Sequence, residues 1–209
     1  MAPMLEVTSL YLKPGVDITE APNNIKYKSS IGALTGQPGF QILWEGTSQW
    51  NPEFLVWLIG WDNITSHETF IAQKEQYAKM VNPLLELAAT EREDFIHIRH
   101  LPPSSSFLDL SSPMTLSSQQ GVAVFWLRVS ERGSLGRFAN AVRGLQGALR
   151  ERDLSLAGGE LVEQSGECIV FVSGGDPACL VRREDVAVMG GESVDVVAGG
   201  AFRMTAYIC

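Results

Sequence analysis

The chain has 209 residues, 45% hydrophobic and 19% charged, with 24 acidic against 16 basic side chains and a net charge of −8. Such proportions belong to a globular protein rather than a disordered one, and the length allows one large domain or two small ones. The basic residues are scattered, with Arg182-Arg183 and Arg150/Arg152 as the densest spots. That distribution lacks the clustered cations that displace counterions from a phosphate backbone, which argues against a nucleic-acid partner.

The first residues, Met1 to Glu6, show neither the basic start nor the apolar run of a signal peptide. The longest apolar runs, such as residues 54–59, fall far short of the roughly 20 residues that span a bilayer. A cytoplasmic chain without membrane contact is the expectation. Cys168, Cys179 and Cys209 are odd in number and widely spaced, which suits reduced, packed thiols rather than a disulfide framework or a zinc site.

In chain order, residues 5–13 read as a strand stopped at Pro14-Gly15, and residues 17–35 as a helix with Ile18, Ile25 and Leu34 at helical spacing. Residues 41–48 and 53–61 form the next two strands, joined as a hairpin through residues 49–52. Thr65 and Glu68 have the spacing of a capping box. The helix it opens carries Phe70, Tyr77, Val81, Leu84 and Ala88 as one apolar stripe, with Pro83 expected to kink or restart it. Residues 94–101 are a fourth strand, ended by Pro102-Pro103. This β-α-β-β-α-β order is the ferredoxin-like unit.

Residues 104–118 hold seven serines and Pro113, which predicts a linker. The pattern then begins again. A strand at 121–129 precedes a helix from Leu135, with Phe138, Val142, Leu145 and Leu149 on its apolar face and Gly136, Asn140, Gly144 and Gly147 on the other. A hairpin of residues 160–164 and 168–173 follows, and Asp176-Pro177 has the form of a helix start. The stretch through the Gly-Gly pairs at 190–191 and 199–200 reads as irregular, and residues 201–209 as a closing strand. The expected division is therefore 1–103, a linker at 104–118, and a degenerate second half at 119–209.

Residues 55–77 (LVWLIGWDNITSHETFIAQKEQY), 82–88 (NPLLELA) and 97–103 (HIRHLPP) resemble the dimeric α+β barrel superfamily, in particular antibiotic-biosynthesis-monooxygenase-like domains. The resemblance covers residues 5–103 closely and 120–209 in outline. It implies an α+β fold of two ferredoxin-like halves packed sheet to sheet as an intrachain barrel, similar to tandem tailoring proteins of fungal secondary metabolism. It also allows a homodimer beyond this intrachain pseudo-dimer. Members include polyketide cyclases, quinol-forming monooxygenases, isomerases and haem-degrading enzymes, so the fold alone selects no chemistry.

The superfamily's pocket lies between the sheet and its own two helices. Carried onto this chain, the resemblance and strand alternation place Glu6, Thr8, Leu10, Trp57, Trp61, His97 and Arg99 on the pocket side, with Phe70 and Tyr77 as walls. The expected roles are His97 as base, Arg99 as enolate stabiliser, and His67, in a first helical turn, as a second base. The alternatives are a satisfied core cluster for His97, paired with Glu6 or a carbonyl, and a solvated surface position for His67.

No metal is expected. His97 and His100 point to opposite faces of a strand, and no carboxylate cluster is evident near His67. The superfamily's plant polyketide cyclase pairs a Tyr and a His on this helix, whereas here Tyr77 has no second His after His67. Ile71 stands where the haem-degrading members carry their axial His, so haem is not expected either. Gly32, Gly36 and Gly39 lack the Lys-Ser/Thr of a phosphate cradle.

The expectation for function is a cofactor-independent cyclase or isomerase acting on a polyketide-like or other apolar, oxygenated small molecule. One alternative is a cofactor-free monooxygenase of quinols or polyphenols. The other is a non-catalytic binding or structural protein.

Overall fold

The computed structural model describes residues 4–101 and the strands at 121–129, 155–160, 167–173, 194–203 and 205–208. The linker, the helix expected from Leu135, the helix start at Asp176-Pro177, Cys179 and Cys209 lie outside the described residues.

The first seven elements are β1 (Met4–Tyr11), α1 (Asn23–Thr35), β2 (Phe40–Thr47), β3 (Phe54–Trp61), α2 (Ile64–Ala72), α3 (Lys74–Leu87) and β4 (Ile96–Leu101). Strands β5 (Gly121–Val129), β6 (Ser155–Glu160), β7 (Glu167–Ser173), β8 (Val194–Arg203) and β9 (Thr205–Ile208) follow. One sheet has the order β4-β1-β3-β2-β9 and the other β6-β7-β5-β8. Setting β9 aside and starting each from its last strand, both sheets follow the ferredoxin-like order of fourth, first, third, second.

The chain divides into two units, Met1–Thr47 with Pro52–Arg99 and Ala206–Cys209, and Ser48–Asn51 with His100–Thr205. The boundary at Arg99/His100 falls inside β4, all of which is one strand of the first sheet.

In the first unit, β3 is the central strand and is buried along nearly its whole length. It pairs antiparallel with β1, setting Thr8 opposite Trp57 and Glu6 opposite Ile59. It also pairs antiparallel with β2, with a register shift between Phe40 and Ile42. That shift lies beside Gly60, where a Cβ would stand 2.8 Å from the Ile42 side chain.

Strand alternation puts Leu10, Leu55, Trp57, Ile59 and Trp61 in one core with Leu34, Phe70, Met80 and Leu84 of the helices. In the second unit, β5 pairs antiparallel with both β7 and β8. Val124, Ile169, Phe171 and Val172 are buried there. Among the described residues no helix is long and apolar enough to cross a membrane.

Several local expectations need correction. Helix α1 begins at Asn23, behind Pro22, so Ile18 is buried from a loop while Ile25 is 68% exposed. The cap of α2 is Asn63, whose side chain accepts from the Ser66 amide at 3.0 Å; the Thr65/Glu68 box lies inside the helix.

The long helix is interrupted at Gln73, where ψ is 71°, and α3 runs on through Pro83. Strand β6 lies earlier than expected, at Ser155–Glu160. The segment read as irregular contains β8, ten residues long, and Gly199 and Gly200 pair opposite Phe125 and Val124 within it. The closing strand is divided: β8 ends in the second sheet and β9 joins the first.

Candidate functional site

The first sheet and its three helices enclose a cavity of about 50 Å³, with walls that are mostly apolar. From the sheet, Glu6 and Thr8 of β1 and Trp57 and Trp61 of β3 line it. From the helices come His67 and Phe70 of α2 and Tyr77 of α3. All seven are residues the sequence placed at a site.

The position of His67 follows from the loop before it. Gly39 has φ +84°, and a Cβ there would collide with Ser66 and the Asp62 carboxylate. The Gly39 carbonyl accepts from the Asp62 amide at 2.8 Å, which ties the end of β3 to the start of β2. Asn63 then caps α2, and the first turn presents His67 inward at 5% exposure, which removes the solvated alternative.

His67 Nε2 stands 3.2 Å from Glu6 Oε2. The same carboxylate oxygen accepts from Trp61 Nε1 at 2.9 Å, while Oε1 accepts from Thr8 Oγ1 at 2.9 Å. A carboxylate 6% exposed thus has both oxygens held by donors, as a buried charge requires. Rings continue along the wall: Trp61 to His67 at 5.4 Å, Trp61 to Phe70 at 5.9 Å, and Phe70 to Tyr77 edge-on at 5.4 Å. Burial first, and then the negative charge of Glu6, push the Tyr77 phenol above its ordinary value of 10.0. Tyr77 is therefore a neutral O–H donor across the ordinary pH range.

A second polar chain braces Trp57. Its Nε1 donates to Tyr27 Oη at 2.8 Å, and Tyr27 donates to Glu45 Oε2 at 2.7 Å. Burial raises the Glu45 carboxyl above 4.5, partly offset by the Tyr27 hydrogen bond. Neither Tyr27 nor Glu45 was singled out from the sequence. A tryptophan on a pocket wall needs a partner for its N–H, but sequence does not reveal one thirty residues away.

His97 and Arg99 do not line the cavity. On β4 it is Ile96 and Ile98 that face it, so alternation turns His97 and Arg99 to the opposite face of the sheet. Arg99 donates to the Ile98 carbonyl at 2.9 Å. The signal was present in the alternation of Ile96 and Ile98 with His97 and Arg99, apolar residues marking the core side.

The same parity brings His100 to the cavity side. Donor atoms of Glu6, His67 and His100 all lie within 4.8 Å of one another. No carboxylate cluster was expected near His67; one carboxylate, Glu6, sixty-one positions away in sequence, is adjacent to it in space.

Among solved structures the fold is shared. An anthrone oxidase-like protein superposes with a TM-score of 0.66 at 9% identity, covering 100% of this chain and 94% of that one. A candidate monooxygenase from Fusobacterium nucleatum gives 0.62 at 9% identity over 98% and 92%. A haem-binding protein from Thermus thermophilus gives 0.54 at 12% identity over 98% and 92%. The fold this chain shares with them is ferredoxin-like α+β. No family model matches the chain, and no curated protein matches it.

The site does not fit a haem. Ile71, at the expected axial position, offers no ligand atom and is 42% exposed.

Proposed function

We propose that the chain is an enzyme that abstracts a proton from an apolar, oxygenated small molecule of polyketide-like character, leading to cyclisation or isomerisation. The observation that carries this reading is the Glu6–His67 pair, 3.2 Å apart in the wall of an aromatic-lined apolar cavity. His67 takes the base role expected of His97. Glu6 orients the ring and stabilises the imidazolium formed when His67 accepts a proton, and Trp61 and Thr8 fix Glu6. Tyr77 donates to the oxygen on which enolate charge develops. The proton held by His67 is returned after the rearrangement, so atoms and charge balance without an oxidant.

A second reading is favoured by the ring-lined wall and by the likeness to an anthrone oxidase-like protein. In it the substrate is a quinol or polyphenol, and the same deprotonation yields an electron-rich anion that passes electrons to O₂.

The test is proton–deuteron exchange at the acidic carbon of a 1,3-diketone or anthrone-type probe, followed by NMR. Wild type should accelerate exchange over buffer, and His67→Gln should slow it by roughly 10²–10⁴-fold. Tyr77→Phe should slow it less. Oxygen uptake in the same samples separates the two readings. Exchange no faster than buffer with every probe, alongside measurable ligand binding, would point instead to a binding protein.

A further inference from the structure

We propose that Glu6, His67 and His100 bind a divalent first-row transition metal ion. Each comes from a different element, Glu6 from β1, His67 from α2 and His100 from β4, and their donor atoms lie within 4.8 Å of one another. Metal–ligand bonds of about 2.0–2.2 Å place neighbouring donors roughly 3–4 Å apart, so small side-chain rotations close the set. One separation already fits: His67 Nε2 to Glu6 Oε2 is 3.2 Å.

Two imidazoles and one carboxylate form a donor set suited to zinc or ferrous iron, with coordination positions left open. Here those positions adjoin the apolar cavity, because Glu6 and His67 line it directly. The outer partners are also in place. Trp61 Nε1 donates to Glu6 Oε2 and Thr8 Oγ1 to Glu6 Oε1, each at 2.9 Å, and so fix the carboxylate. A carboxylate and two imidazoles, with Glu6 and His67 each nine-tenths or more buried, offset the ion's desolvation by direct ligation. An ion here takes the nitrogen that otherwise faces Glu6. The metal-loaded site and the His67 base are therefore alternative states, and this inference does not rest on the proton-transfer reading.

The experiment uses the full chain, untagged and stripped with chelator, titrated with Co²⁺ alone and read by visible d–d absorption and calorimetry rather than turnover. Wild type should bind one equivalent with bands of a nitrogen- and oxygen-ligated site, and Zn²⁺ should displace it. Glu6→Gln, His67→Gln and His100→Gln should each weaken binding at least about tenfold, the loss typical even of an outer partner. His97→Gln, on the opposite face, should bind as wild type does. Binding should release protons, so affinity should fall as pH is lowered.

Absence of a one-equivalent Co²⁺ complex in wild type overturns the proposal, and that measurement holds even if a variant fails to fold. Binding undiminished in folded His67→Gln or His100→Gln overturns it equally. Metal binding without proton exchange, or exchange without metal binding, separates this inference from the function proposed above.

Discussion

Glu45 shows how one buried carboxyl couples the site's support to pH. Burial raises its folded value above 4.5, with the Tyr27 hydrogen bond opposing. The folded state therefore holds the proton more tightly than the unfolded chain. The stability tied to that proton is fully present below 4.5 and is lost as pH rises through the higher folded value. Glu45→Gln keeps an oxygen to accept from Tyr27 and removes the charge. It should melt above wild type at neutral pH, with the gap closing below 4.5, as thermal melts across pH would show. An unchanged gap at all pH values would mean that the carboxylate is adequately solvated. At this scale the sequence was informative about residue type and less so about partner. Glu6, Thr8, Trp57, Trp61, His67, Phe70 and Tyr77, expected at a site from the resemblance together with strand alternation and the place of His67 in a helical turn, all line one cavity. The face of β4 was misjudged because polar residues of catalytic type were placed on the pocket side, although Ile96 and Ile98 carried the stronger physical signal.

The element that matters most is the turn into α2. Asn63 accepts from the Ser66 amide at 3.0 Å and so satisfies an orphan donor of the first turn. Asn63→Ala should cost about 1 kcal/mol in chemical denaturation. A loss near zero would mean that water replaces the cap. Gly39→Ala should cost more, on the order of 1–3 kcal/mol. It combines a φ of +84° with a collision against Ser66 and Asp62. Ser66 precedes His67, so Gly39→Ala should also impair the deuteron exchange described above more than its melting loss alone accounts for. The helix itself was legible, but its start was not. Two overlapping capping patterns, one from Asn63 and one from Thr65, occupy the same turn, and tertiary ties through Asp62 and Gly39 select the earlier one. Pro83 was expected to kink or restart the helix; α3 continues through it, the interruption falls at Gln73, and nothing in the sequence marks Gln73 as a stop.

For the whole molecule, the βαββαβ order of the first half was legible because Pro14-Gly15, Pro38-Gly39 and Pro102-Pro103 punctuate strands of clear β-forming composition. The partner of the last strand was not. Residues 201–209 have the composition of a strand, but composition does not say which sheet supplies the neighbouring edge, and β9 pairs beside β2 in the first sheet. A sequence-distant strand in that position covers an edge that would otherwise present unpaired backbone groups. It also makes the expected association of the two halves testable. Protease should cut first within residues 104–118, where seven serines and Pro113 predict a linker. The cut leaves β2 on one fragment and β9 on the other, and their ladder should hold the fragments together in native gel filtration. Removing residues 205–209 before the cut should loosen that association and expose the β2 edge, read as earlier elution of aggregates or separation of the fragments. Fragments of the intact chain that separate at once after cutting would show that neither the β2–β9 pairing nor sheet-to-sheet packing joins the halves, and the intrachain barrel would have to be abandoned.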